Sequence, residues 1–217
     1  MGNEAVTILQ FLALSERLKR ELRHSWLSDG RRESVAEHTW QMALLALLGY
    51  RYLEQPVDIG RVLKMIIVHD LVEAIAGDVP YFENGSRKQL KAERERAAID
   101  EIRAELGAET GQELHDLWHE FEARSTLEAK YASALDHLEV QIQHNLAGID
   151  TWEPIEYDLV YTKMSDRCAH DAFLTALCDA VRGQAESKML AASIDVESIK
   201  ARLGVQAPSS NRSSSAR

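Results

Sequence analysis

Residues 62–80 have the sequence VLKMIIVHDLVEAIAGDVP, in which ionisable side chains interrupt an apolar segment. Apolar residues fall on nearly every side of a helix here, which predicts that the helix is buried. His69, Asp70 and Glu73 lie within it, and Asp78 follows it. Burying such groups is costly unless they are paired or bind a metal ion. Side chains three and four positions apart meet on one helix face, so the three groups are expected to lie close together. A buried His–Asp pair without a metal is the alternative.

Two further polar residues lie in similar apolar surroundings. His38 falls in the first turn of a helix that Ser34 is expected to cap, just before the apolar run TWQMALLALLGY. Asp136 lies within LDHLEVQIQ, among apolar residues at helical spacing. Taken singly, His38 could be a surface residue and Asp136 half of a salt bridge. Taken with the His-Asp pair at residues 69–70, they supply two imidazoles and two carboxylates on separate helices. Such mixed nitrogen and oxygen ligands suit a divalent transition metal.

Helical spacing of apolar residues recurs along the whole chain, and no alternating pattern of useful length indicates a strand. We therefore predict an all-α fold in a single domain of residues 1–204, with a disordered, Ser-rich tail at 205–217. Helices are predicted over residues 4–22, 35–53, 59–76, 87–106, 111–123, 126–147, 155–182 and 184–203, with loops at 23–33 and 77–86.

Composition excludes several classes of function. The 217 residues include 25 basic and 35 acidic side chains, a formal net charge of −10, which argues against a nucleic-acid polymer as partner. No apolar run approaches the length of a membrane span, and the first residues lack the features of a signal peptide. The two cysteines, Cys168 and Cys178, form neither a disulfide framework nor a metal knuckle. We expect a protein of the reducing cytoplasm.

Three segments resemble a known family. RRESVAEH, HDLVEAIAGDVP and ALDHLE are similar to motifs of the HD-domain metal-dependent phosphohydrolases, whose signature is H…HD…D in this order. The extended motifs look like the YfbR-type 5′-deoxynucleotidase branch of that family. The resemblance spans about residues 15–145 and leaves the C-terminal helices, about 155–203, without a matching motif. It implies a helical HD-domain bundle and a homodimer.

The resemblance also implies roles for individual residues. It places His38, His69, Asp70 and Asp136 as ligands of one divalent metal ion, which could be Co, Mn, Zn, Fe, Ni or Mg. Glu73 would lie beside the metal-bound water and the phosphate, and Asp78 near the sugar. Arg23 and Trp26 match positions that contact phosphate and sugar or base, with Arg31 as a competing phosphate contact.

These residues predict a metal-dependent phosphomonoesterase that converts nucleoside 5′-monophosphates, in particular deoxyribonucleotides, to nucleoside and phosphate. The metal would activate water, Glu73 would accept its proton, and an arginine would hold the phosphate. Two alternatives remain open: the same chemistry on a nucleoside triphosphate or a modified nucleotide, and a helical binding module with a structural metal site. The binding module explains the presence of Glu73 and Asp78 less well, because a structural metal site needs neither carboxylate. A di-iron oxygenase would need further His ligands.

Overall fold

The structure, a computed structural model, describes residues 2–80, 83 and 90–205, with residues 2 and 3 described by their backbone alone. The predicted all-α class is confirmed. The helices are α1 (Gly2–Ser15), α2 (Val35–Gly49), α3 (Ile59–His69), α4 (Glu73–Ala76), α5 (Lys91–Leu106), α6 (Thr110–Ala123), α7 (Leu127–Leu146), α8 (Pro154–Thr162), α9 (Ser165–Cys168), α10 (Ala172–Ala191) and α11 (Val196–Leu203).

Two predicted segments fall outside the described residues. These are the start of the helix expected from residue 87 and nearly all of the tail expected at 205–217. In the parts of the chain that the structure does describe, no helix has both the length and the apolar character needed to cross a bilayer.

Helix α7 occupies the centre of the fold. It packs against α2, α3, α6 and α10, and its side chains Tyr131, Leu135 and Leu138 are almost fully buried. A second, smaller apolar cluster joins α8, α10 and α11 around Trp152 and Met189. Burial of these two clusters supplies the main driving force for folding, because apolar area removed from water stabilises by about 25 cal/mol per Å².

A short β-hairpin occupies the segment predicted as a loop at 23–33. Strands β1 (Leu22–Trp26) and β2 (Arg32–Ser34) pair antiparallel, with an irregularity between the two ends of β1. The backbone turns back through Gly30, whose φ of +86° lies in the region that glycine adopts most easily. The sequence pattern missed this hairpin because the strands are too short to show alternation. The Ser34 side chain then caps α2 through a reciprocal pair of hydrogen bonds with Glu37, as predicted.

The helix predicted over residues 59–76 is interrupted, which corrects the expected geometry. Helix α3 ends at His69, and Asp70 leaves helical conformation with φ −97° and ψ 7°. The chain resumes as the single turn α4 and stops at Gly77, whose φ of +76° requires a residue without a Cβ. Because of this break, His69 and Glu73 are not related by the four-residue spacing of one continuous helix. The turn at Gly77 then changes the direction of the backbone before Asp78.

The two C-terminal helices were predicted with wrong boundaries. The segment 155–182 breaks after α8 and again after α9, whereas α10 runs through Gly183 to Ala191. A single glycine inside a helix costs only about 1 kcal/mol, so packing overrides it. The side chain of Asp171 accepts two backbone N–H bonds in the first turn of α10 and so sets where that helix begins.

Candidate active site

A cavity of about 330 Å³ lies between the β-hairpin, the α3–α4 junction, α7 and α8. This volume is within the range of small-molecule sites. One end is lined by Arg23, Asp70, Glu73, Asp78, Lys91 and Asp136. The lining continues to His24, Ser25, His144, Glu156 and several apolar side chains. His144 lies eight residues after Asp136 on α7, about 12 Å along the helix axis, so His144 and the residues that contact it form the other end. Five of the residues predicted for the site therefore line a single cavity.

The four predicted metal ligands come together at the first end of the cavity. His38 Nε2 lies 3.2 Å from Asp136 Oδ1 and 3.8 Å from Asp70 Oδ2. His69 Nε2 lies 3.2 Å from the same Asp70 oxygen. Ligand atoms of His38, His69 and Asp136 all fall within 4.8 Å of one another. Helix α2, the end of α3 and the middle of α7 thus supply one convergent donor set.

The opposite nitrogen of each imidazole is fixed by a hydrogen bond. His38 Nδ1 is bonded to the Glu139 carboxylate, and His69 Nδ1 donates to the Ile66 carbonyl oxygen at 2.6 Å. The two buried Nε2 atoms have no hydrogen-bond partner among the described residues. An oriented imidazole with its free nitrogen aimed at carboxylates is the arrangement in which histidine binds metals. The donor set therefore fits a divalent cation.

The electrostatics of the cluster also favour a cation. Burial opposes ionisation of Asp70 and Asp136, but the neighbouring imidazoles hold the pKa of both carboxyls well below the usual range. Burial and Arg23 lower the pKa of His38, yet Glu139 and Asp136 outweigh them and raise it to about 10. Carboxylates that stabilise a proton on His38 stabilise a metal cation at the same place, because both carry positive charge.

Glu73 and Asp78 flank the cluster. Glu73 is almost fully buried, and its Oε2 has no hydrogen-bond partner among the described residues. Burial raises the pKa of Glu73 well above its usual value, and the charges of Asp70 and Asp78 add to this effect. Burial also raises the pKa of Asp78, against the charge of Arg23. The backbone N–H of Asp78 donates to Glu21 at 2.9 Å, which holds the turn after Gly77.

The hairpin places the two candidate arginines in different surroundings. Arg23 lines the cavity and donates from Nη1 to Asp70 Oδ2 at 3.2 Å. Arg31 lies on the surface, where its guanidinium bonds to Glu37 and does not line the cavity. Trp26 does not line it either; the Arg32 guanidinium carbon lies over its ring, 5.7 Å from the ring centroid. The structure therefore places Arg23 at the site and keeps Arg31 and Trp26 away from it.

Comparison with known proteins identifies the family. The HD-domain sequence profile matches residues 15–174. The chain belongs to the HD-domain family. It is 35% identical over 144 residues to 5′-deoxynucleotidase HDDC2 of Homo sapiens, covering 65% of this chain and 69% of that protein. It is 32% identical over 146 residues to 5′-deoxynucleotidase hdd1 of Schizosaccharomyces pombe, covering 64% and 72%.

Solved structures agree with this assignment. A protein described as a predicted metal-dependent phosphohydrolase, from Magnetospirillum magnetotacticum MS-1, superposes with a TM-score of 0.71 at 27% identity. The superposition covers 88% of this chain and 95% of that one. PH0347 protein from Pyrococcus horikoshii OT3 superposes with a TM-score of 0.58 at 25% identity, over 81% and 99% of the two chains.

The second end of the HD-domain cavity holds polar residues that the sequence did not single out. His24 Nε2 and His144 Nε2 lie 3.3 and 3.5 Å from Glu156 Oε1. Ser25 Oγ lies 3.3 Å from His144 Nε2. Burial lowers the pKa of His144 to about 4 and raises that of Glu156 to about 7. No local pattern connects these residues, because 119 positions separate Ser25 from His144.

Glu139 and Lys91 were also missed, and for Glu139 a signal was available. It follows Asp136 by three positions within the apolar pattern of α7, as Glu73 follows Asp70. Helix geometry places such residues on one face, so the second carboxylate could have been assigned to the cluster. Lys91 begins α5 after Leu90, and nothing in its local sequence indicates a site.

Proposed function

We propose that this HD-domain protein is a metal-dependent phosphomonoesterase of nucleoside 5′-monophosphates, in particular deoxyribonucleotides. The observation that carries the proposal is the convergence of His38, His69, Asp70 and Asp136 at a cavity that also presents Arg23 and Glu73. The 5′-deoxynucleotidase relatives at 32–36% identity support the same activity. The products would be a nucleoside and inorganic phosphate.

His38, His69, Asp70 and Asp136 would together hold one divalent metal ion. When bound, such an ion lowers the pKa of coordinated water and polarises a phosphoryl oxygen. Nitrogen and carboxylate ligands suit Co, Mn, Zn, Fe and Ni, and Mg is also acceptable, so availability rather than affinity would select the ion.

The remaining side chains divide the tasks of substrate binding and proton transfer. Arg23 would bind the phosphate, and Lys91, which lines the same cavity, would add positive charge. Glu73 Oε2, buried and without a partner among the described residues, is suited to hold the attacking water and accept its proton. Asp78 would accept a hydrogen bond from a sugar hydroxyl. We do not assign Arg31 or Trp26 to the substrate.

Phosphate release by metal-stripped protein tests this function. Mn²⁺, Co²⁺, Mg²⁺ or Zn²⁺ is added back, and deoxyribo- and ribonucleoside mono- and triphosphates serve as substrates. Release from deoxyribonucleoside monophosphates that needs the metal and is abolished in Asp70→Ala is the expected result. Circular dichroism of the variant checks that it folds. Release from triphosphates alone would contradict the substrate class, and no release from any nucleotide would contradict the function.

Three finer properties belong to the same proposal: the chain forms a homodimer, folds as one domain over residues 1–204 and acts in the cytoplasm. An exposed apolar face on α2, formed by Trp40, Leu44, Leu47 and Leu48, supports the dimer. Both cysteines are free thiols, as expected in a reducing compartment. Sedimentation equilibrium tests the dimer, and microscopy of a fluorescent fusion tests the location.

A further inference from the structure

We propose that His24, His144 and Glu156 form a nucleobase subsite at the end of the cavity opposite the metal cluster. The inference rests on the proposed nucleotidase function. It extends that function because it assigns a binding site to the base, the part of the substrate that does not react. The same cavity is lined by Asp70 and Asp136 and by these three residues, and His144 lies about 12 Å beyond Asp136 along the axis of α7. A ligand anchored by its phosphate at the metal end extends toward them.

The orientation of the Glu156 carboxylate is fixed before any ligand binds. Its Oε2 accepts the backbone N–H of Glu153 at 2.7 Å, in a reciprocal cap at the start of α8. Its Oε1 faces His24 and His144 across 3.3 and 3.5 Å. The side chain of His144 is in turn near the Ser25 hydroxyl. Hydrogen-bonding groups are thus held in place at a wall of the cavity, which is the condition for selective recognition.

The chemistry of this end suits a base better than a phosphate. His144, whose pKa burial lowers, is an uncharged imidazole at neutral pH and so offers one donor and one acceptor. A glutamate beside it disfavours an anion. Arg23, Lys91 and Lys163 are the lysines and arginines among the described residues that line the cavity. Arg23 donates to Asp70 and the charge of Lys91 acts on Glu73, both at the metal end, whereas Lys163 follows α8. Base edges present neutral N–H and C=O or ring-nitrogen groups, which such residues can pair with directly.

Apolar side chains complete the subsite. Val140 of α7, one turn before His144, Leu159 of α8 and Met164 just beyond α8 also line the cavity. A flat aromatic ring can lie against such surfaces while its edge meets the polar groups. Burying the polar side chains of His144 and Glu156 only to join α7 and α8 would be a costly way to secure packing, because apolar residues would serve as well.

The test compares nucleotides with a substrate that has no base. Steady-state kcat/KM is measured for the four deoxyribonucleoside 5′-monophosphates and for 2-deoxyribose 5-phosphate. The variant is Glu156→Gln, and the control is Glu105→Gln, which removes the same charge from an exposed side chain of α5 that does not line the cavity. We expect Glu156→Gln to lower kcat/KM at least about tenfold for one or more nucleotides and to alter their ranking. The base-free substrate should change less than twofold, and the control should match the wild type.

Two results would overturn the subsite and leave the nucleotidase function intact. One is a wild-type protein that hydrolyses 2-deoxyribose 5-phosphate as efficiently as every nucleotide. The other is an equal loss for all substrates in Glu156→Gln, which would indicate a structural role. If the wild type hydrolyses nothing, the proposed function fails, and equilibrium dialysis with free deoxynucleosides decides the subsite separately. Binding that Glu156→Gln weakens at least tenfold would support it, and no binding by the wild type would overturn it.

Discussion

The imidazole of His38 is hydrogen-bonded through Nδ1 to the carboxylate of Glu139, and both side chains are fully buried. The other imidazole nitrogen faces Asp136. A carboxylate behind a histidine ligand fixes the tautomer and makes the free nitrogen more basic. Glu139 therefore acts on the proposed metal through His38 as a positioning residue.

Glu139→Gln is expected to weaken metal binding by about 10–100-fold, because the amide can accept the Nδ1 hydrogen bond but supplies no negative charge. The dissociation constant is measured by competition with a chelator of known affinity. Glu105→Gln, on the exposed face of α5, is the matched control. An unchanged dissociation constant in Glu139→Gln would show that the buried carboxylate does not act on the metal.

Glu73→Gln is expected to reduce kcat by about 10²–10⁴-fold, the usual contribution of a positioned acid–base group. Metal content should stay at the wild-type level, because Glu73 is not among the proposed ligands. The two readouts, kcat and metal content by mass spectrometry, separate a role in proton transfer from a role in metal binding. Full activity in the variant would exclude the role proposed for Glu73.

Arg23→Lys and Arg31→Lys form a matched pair, since each keeps the positive charge. Arg23 lines the cavity, and a lysine there cannot reproduce the two parallel hydrogen bonds of a guanidinium. We expect kcat/KM for deoxyribonucleotides to fall about 10–100-fold in Arg23→Lys and to stay within twofold of wild type in Arg31→Lys. The opposite ranking would mean that the surface arginine moves into the site when substrate binds.

The pH dependence of stability should reveal the buried carboxyl of Glu156. Burial raises its pKa from 4.5 to about 7, so between these values the folded chain binds more protons than the unfolded chain. This contribution to the free energy of unfolding is therefore present at pH 4.5 and is lost as the pH rises to 7. His144, with its lowered pKa, acts in the opposite direction, so only a difference between two proteins isolates Glu156.

Glu156→Gln should thus become more stable relative to wild type at pH 7 than at pH 5, by on the order of 1–3 kcal/mol. Urea unfolding at the two pH values measures the difference, and Glu105→Gln serves again as the control. A difference that does not change with pH would mean that the carboxyl titrates normally in the folded protein.

The sequence was most informative where ionisable residues interrupt a segment whose apolar spacing also predicts a buried helix. The all-α class follows from apolar spacing along the chain, and the four proposed ligands stand out as polar residues in apolar helices. Their convergence could be anticipated only by treating His38, the His-Asp pair at residues 69–70 and Asp136 together. No single one of them is distinguishable from an ordinary buried or surface residue.

Details that depend on contacts between distant segments could not be predicted. The break at Asp70 follows from the surroundings of α3, since the local sequence is a good helix throughout. The choice between Arg23 and Arg31 depends on a hairpin too short to leave a periodic pattern. Glu156 joins the cavity only because α8 packs near β1, and its own sequence context resembles any helix start.

Helix α3 ends at His69, which gives the site a property beyond its side chains. The carbonyl end of a helix carries the negative pole of its dipole, equivalent to about half an elementary charge. That pole lies next to Asp70, so before a metal ion binds it adds to the attraction of the site for a cation and opposes the approach of an anion. A nucleotide is therefore expected to bind second in an ordered sequence, after the metal ion has reversed the local potential.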